Sequence, residues 1–335
     1  MTALLDDAAT ERDSQFRAGW RVIAGQELAG ALTSIRFIVL LVVVSLAALL
    51  SVLQSSEDLR GLASQGISEL PSVFLGLFYL SSEQVLSLSF TFYELVGLLG
   101  PLFGVAFGFD AINIARTDGT LARLVAQPIH RDDVITGKFA AGLTLITIAL
   151  TTMTVVVTAF GMLRLGAQPD GEQLVRLLVF LVLSILYIGV WLAFGIFCSV
   201  VFRQPAAAAL VGIAAWLLLA VFPGSIAPLI ADRVAAVPAD ATAEQILSNQ
   251  RLEQTIERLA PKTVYVEAAQ SVLSPLVVTL DVSSPEDLAE LLPDTQLDLR
   301  QSLLLAWPQI VTLVAIIVVL FGVTFILFMR QEIRA

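Results

Sequence analysis

Residues 177–202 read LLVFLVLSILYIGVWLAFGIFCSVVF, an unbroken run without one Asp, Glu, Lys or Arg. A bilayer core of ~30 Å is crossed by ~20 helical residues, so this run is long enough to span it. Backbone N–H and C=O groups in hydrocarbon need internal partners, and a helix supplies them within one segment. Working outward, 139–163, 205–231 and 303–329 are also apolar and uncharged, and 37–53 is similar but shorter. A sixth segment, 90–114, carries Glu94 near one end and Asp110 near the other, around an apolar, Gly-rich middle at 95–109.

Composition agrees with this reading. Of 335 residues, 57% are apolar and only 14% charged, and mean hydropathy is +0.86. A soluble domain, a disordered chain and a disulfide scaffold are thereby excluded. The formal charge of −10 argues against a nucleic-acid partner. A single Cys198 permits no intrachain disulfide and reads as a small apolar filler. A single His130 excludes multi-histidine metal sites within one chain and reads as a solvated loop residue. The expected fold is an all-α integral membrane protein with six transmembrane helices.

Orientation follows from the positive residues. One side collects eleven Lys and Arg in about 70 residues, the other eight in about 120, so the first is expected to be cytoplasmic with both termini. The N-terminus opens with Asp6, Asp7, Glu11 and Asp13 and does not read as a cleavable signal peptide. Within residues 1–34, the stretch 15–34 reads as an amphipathic interfacial helix, with Phe16, Trp20, Ile23 and Leu28 near one face. Residues 35–231 hold spans one to five, including a cytoplasmic loop at 115–138. Residues 303–335 hold the sixth span and a short tail.

Two segments face outward on this reading. In 54–89, residues 71–80 are apolar but too short to span, which predicts a re-entrant or interfacial piece. Residues 232–302 form a small, mainly helical extracytoplasmic domain of charge −7, expected to pack on its own membrane base or on a second copy. Thr242-x-x-Gln245 forms a capping-box pattern, and Ser284-Pro285-Glu286-Asp287 is a second helix start. Residues 262–281 leave helix and strand both open.

No catalytic or nucleotide-binding constellation is present. A P-loop built on Gly137-Lys138 needs Gly at 132 and Ser or Thr at 139, where this chain has Asp132 and Phe139. No zinc pattern or nucleophile elbow occurs. An enzyme is not expected, and neither a metal nor a cofactor is expected on this chain.

The informative loop carries Gly119-Thr120-Leu121, Leu124, Gln127-Pro128-Ile129, Arg131, Val134-Ile135 and Gly137-Lys138. Asp118 can cap a short helix whose apolar face is Leu121, Leu124 and Val125, and Pro128 ends it. Asp132 and Asp133 then start a helix that continues into the membrane past Lys138. This pattern resembles permease subunits of ABC transporters of the type-2 exporter superfamily. The resemblance implies that the helix at 119–127 docks on a separate ATP-binding subunit, present in two copies, with ATP and Mg held by that subunit. It also implies a second permease copy or homologue and a plasma (inner) membrane location. Members commonly carry Glu before the position of Arg116, where this chain has Ala115. Asp110 or Asp118 takes over that pairing, or the contact is absent.

Other readings of the same residues stand beside these. Glu94 and Asp110 are intramembrane charge candidates or interfacial residues, and Asp110 can pair with Arg116. Arg131 and Lys138 suit either a partner ATPase or positive-inside anchoring. Pro223, Gly224 and Pro228 mark a hinge or an ordinary helix end. Gly97, Gly100, Gly104 and Gly108 form a small-residue stripe suited to close helix packing. The alternative functions are a non-transporting ABC-type subunit acting on an outer partner, and a stand-alone channel or secondary transporter. The second is disfavoured by the lack of repeated halves and of midplane charges. The identity of the substrate is not legible.

Overall fold

The computed structural model describes residues 19–64, 73–79, 91–117, 131–166, 168–236, 242–274 and 297–330. All regular structure among them is helical: α1 (Gly19–Leu32), α2 (Ile35–Ser64), α3 (Val73–Tyr79), α4 (Phe92–Gly108), α5 (Asn113–Thr117), α6 (Arg131–Leu165), α7 (Gly171–Val201), α8 (Pro205–Trp216), a π-turn (Leu217–Val221), α9 (Pro223–Val234), α10 (Ala243–Glu257), α11 (Pro261–Leu273) and α12 (Leu299–Arg330). Four of these helices, α2, α6, α7 and α12, are long and apolar enough to cross a membrane. A fifth is added if α8 through α9, bent by 60°, counts as one span, whereas α4 is an apolar helix of only 17 residues and falls just short.

The central pillar is α7, which packs on α4, α12, α6, α11 and α8. Its start is fixed by a capping box in which Asp170 accepts from the Gln173 N–H and Gln173 from the Asp170 N–H. Trp191, Tyr187 and Phe180 are buried along its inner faces. Against it lies the stripe of α4. A Cβ added at Gly104 would lie 2.7 Å from the Ile188 carbonyl oxygen and the Leu192 nitrogen, and one at Gly108 would lie 2.8 Å from the Gly195 Cα. Two backbones therefore touch here, which only glycine allows. The stripe is spent inside one chain, on helix packing.

Outer elements close over this pair. The short apolar stretch at 73–79 is α3, with Phe74, Leu75, Leu77 and Phe78 all buried. The Phe78 ring meets Phe92 at 5.1 Å and Phe180 at 6.3 Å. The segment is thus packed inside the protein. Residues 262–273 resolve as helix within α11, not strand. Tyr265 of α11 stacks on Tyr187 at 4.5 Å and its hydroxyl pairs with the Ser184 hydroxyl at 3.0 Å. The capping box at Thr242 and Gln245 is formed, while the helix start at Ser284 lies outside the described residues.

Arg176 locks the outer layer. It is 2% exposed. Its guanidinium donates to Glu172 Oε1 at 2.7 and 3.0 Å, to the Val272 carbonyl at 3.0 Å, to Ser302 Oγ at 3.0 Å and to the Leu297 carbonyl at 2.7 Å. One side chain thus joins α7, α11 and the approach to α12. A buried cation is tolerated only when paired and hydrogen-bonded in this way.

Two outcomes follow. Gly104→Ala gains helix propensity, yet it should lower the thermal unfolding midpoint in detergent, by an overpacking cost of about 1–3 kcal/mol. Gly322→Ala, whose Cβ meets nothing within 4 Å, should not lower it. Arg176→Met should destabilise by about 1–3 kcal/mol for each carbonyl, Val272 and Leu297, left without its donor, while the half-exposed Glu172 is solvated. Equal midpoints for Gly104→Ala and Gly322→Ala would refute the backbone seam.

Candidate functional site

Gly119, Thr120, Leu121, Leu124 and Pro128 lie outside the described residues, and of Arg131 only its place at the start of α6 is described. The two ends of that loop are both well anchored. On the entry side, Ser199 Oγ at the end of α7 accepts from the Ile112 N–H at 2.9 Å and the Asn113 N–H at 3.1 Å. That hydroxyl satisfies two backbone donors where the chain leaves α4 and turns into α5, so the loop starts from a fixed point on α7.

On the exit side, the motif residues are occupied within the chain. Asp132 and Asp133 lie in the first turn of α6, where carboxylates suit the helix dipole. Val134 and Ile135 are buried. At Gly137 an added Cβ would lie 2.8 Å from the Trp20 carbonyl oxygen and 2.9 Å from Ile23, so α1 rests on the α6 backbone at this point. Lys138 is 8% exposed and forms an ion pair with Glu27 of α1. The Val-Ile-x-Gly-Lys segment thus holds the N-terminal helix against α6.

A second ion pair joins the start of α2 to the turn at the end of α4. Arg36 pairs with Asp110, and its guanidinium lies 5.7 Å from the Phe109 ring centroid. Asp110 is therefore engaged by Arg36, not by Arg116 as the local spacing suggested. Between these clamps, α1, α2, α4 and α6 enclose an open cavity of about 760 Å³. Glu27 and Arg36 are the partners that sequence reasoning missed. They lie 111 and 74 residues from Lys138 and Asp110, and no periodicity carries such a pairing.

At the opposite end, Glu94 caps α4. Its carboxylate accepts from the Thr91 N–H and hydroxyl at 2.9 Å, and its own N–H donates to Thr91 Oγ1 at 3.3 Å. The same carboxylate faces Lys262 of α11, favouring its charged form, although burial has the larger effect and lowers the Lys262 ammonium below its usual range. Glu94, Lys262, Glu257, Pro223 and Gly224 line a second cavity of about 290 Å³. The 60° bend of the fifth span lies at the π-turn and Phe222, immediately before Pro223, which begins α9. Pro228 sits inside α9. Burial, then Glu253 and Glu267 nearby, hold the Glu257 carboxyl above the usual carboxylate range.

A raised carboxyl costs the folded state stability wherever it is ionised. Glu257→Gln should therefore raise the unfolding midpoint at neutral pH. The gain should vanish as the pH falls below the unfolded carboxylate value of about 4.3, where both forms are neutral. A gain that persists in acid would refute the electrostatic origin.

No curated protein matches the chain. The family model described as ABC-2 family transporter protein matches residues 21–333, which takes in every described helix from the first turn of α1 to the end of α12. Members of this family are membrane permeases that associate with an ABC ATP-binding subunit. The apolar helices and this match together make the chain a multi-pass membrane protein of the ABC-2 transporter family.

Proposed function

We propose that the chain is the permease subunit of an ATP-driven exporter, crossing the plasma membrane six times with both termini in the cytoplasm. The sixth crossing is α4, whose 17 residues continue through the turn at 109–112 into α5. Two copies, or one copy and a homologue, enclose the pathway, and two copies of a separate ATPase supply the energy. This chain holds no nucleotide and no metal. The helix at 119–127 is the contact to the ATPase.

The observation that carries this reading is the pair of anchors around the loop. Its entry is held on α7 by Ser199, and its exit is held on α1 by Gly137 and Lys138. A force applied to the loop is therefore passed to two different helices and not dissipated in slack chain. In the cycle, closure of the ATPase dimer draws the two loops together, α4 and α7 move as one body, and α6 carries α1 with it. Outward release then uses the bend at Phe222, where the π-turn makes the fifth span the least regular of the six. The cargo class stays open, because apolar spans face lipid whatever they transport.

Deletion of 119–127 should abolish copurification of an ATPase subunit from native membranes while leaving membrane insertion intact. Undiminished copurification would overturn the coupling role.

A further inference from the structure

The cavity of about 760 Å³ between α1, α2, α4 and α6 carries four charged groups, Glu27, Arg36, Asp110 and Lys138. We propose that it binds the headgroup of a phospholipid bearing a primary ammonium, a phosphatidylethanolamine, from the cytoplasmic leaflet. The proposal rests on reading α2, α4 and α6 as spans. Arg36, Asp110 and Lys138 each sit at the end of an apolar stretch, which is the depth of the headgroups, and Glu27 of α1 pairs with Lys138 there.

The charge pattern selects the ligand. Two cations and two carboxylates leave the lining neutral, so an anionic headgroup would bring an uncompensated charge, and a zwitterion brings none. The more exposed member of each ion pair differs in sign. Arg36 is 55% exposed against 14% for Asp110, and Glu27 is 44% exposed against 8% for Lys138. The cavity thus offers one accessible guanidinium and one accessible carboxylate. Asp110 engages one of the terminal nitrogens of Arg36, and a guanidinium has five N–H donors, so donors remain for a phosphate. Glu27 spends one oxygen on Lys138, and its second can accept from an ammonium. A choline group has the charge but no N–H to donate. The rest of the wall is apolar, with Ile23, Phe107 and Leu145. Elsewhere on α2 and α6, Ile38, Val42 and Ile148 are exposed apolar residues available to acyl chains.

This site explains an arrangement that the transport reading leaves aside. α1 packs along α6, and α2 reaches both α6 and α4, yet a cavity stays open at the α1–α2 elbow between the two ion pairs. A lipid wedged there would complete the packing of the N-terminal helix.

Native mass spectrometry on the delipidated full-length chain in detergent tests this. The protein is titrated with phosphatidylethanolamine, phosphatidylglycerol or phosphatidylcholine of identical acyl chains. One ethanolamine lipid per chain is expected, preferred about tenfold over the other two. Glu27→Gln should remove that preference, and Arg36→Gln should weaken all three lipids. Gly30 lines the cavity and its Cβ would meet nothing within 4 Å, so Gly30→Leu fills the space without touching either ion pair and should abolish retention in a folded protein. Equal retention of the three lipids, or retention unchanged by Gly30→Leu, would overturn the site. Displacement by millimolar O-phosphoethanolamine would overturn the lipid assignment in favour of a soluble ligand of the same chemistry. ATPase copurification scored on the same samples separates failure of this site from failure of the coupling role.

Discussion

The backbone contact between α4 and α7 is the constraint on which the rest of the molecule depends. At Gly104, and again where Gly108 meets Gly195, no side chain intervenes. In lipid, water expulsion contributes little to helix association, so close approach and van der Waals contact take its place. Once the two helices are this near, their flanks must be filled by small or flat groups. Tyr187 stacks under Tyr265, Trp216 donates to the Leu98 carbonyl at 2.8 Å, and the Tyr187 hydroxyl donates to the Gly97 carbonyl at 2.6 Å. α11 and the bent α8–α9 segment are positioned by those contacts. So is the start of the 115–138 loop, because Ser199 reaches Ile112 and Asn113 only when the α4 and α7 ends lie side by side.

Much of this was legible in the residues. The apolar runs outlined α2, α6, α7 and α12 because hydrocarbon imposes a length and excludes charge. The stripe of glycines in 97–108 announced a close contact, though not its partner. The Thr242-x-x-Gln245 pattern was readable because a capping box is local, and the Pro and Gly near 223 announced an irregularity in the fifth span. Its 60° bend falls at Phe222, between the π-turn and Pro223, and Pro228 lies inside the helix that follows.

What could not be read was tertiary pairing of charge. Arg176 counted only as one positive residue on the outer side, yet it is the most engaged cation among the described residues. Lys138 suited either a partner ATPase or positive-inside anchoring, and neither reading named Glu27, against which it is nearly buried. Asp110 had Arg116 six positions away and pairs with Arg36 instead. In each case the partner is set by which helices the glycine contacts bring together. The sequence states that a charge at a span end needs a counter-ion, and only the fold states which one.

These pairings bear on how motion can pass through the protein. Ion pairs at helix ends are directional tethers that tolerate a tilt of several degrees, while a glycine seam with backbone contact does not slide without separating. The α4–α7 pair is thus the stiff element, and the α1–α2 elbow, which faces the open cavity between Lys138–Glu27 and Arg36–Asp110, is the compliant one, although α1 itself packs along α6. A push on the 115–138 loop would be felt by α7 through Ser199 and by α1 through Gly137. The stiff pair would transmit it across the membrane to Tyr265 and the Arg176 cluster. The compliant unit would absorb the mismatch at the membrane surface, where the tethers can reorient at little cost. On this argument, lipid occupancy of the cavity would set how tightly the N-terminal helix follows the loop, because filling the space between the clamps converts a hinged unit into a packed one.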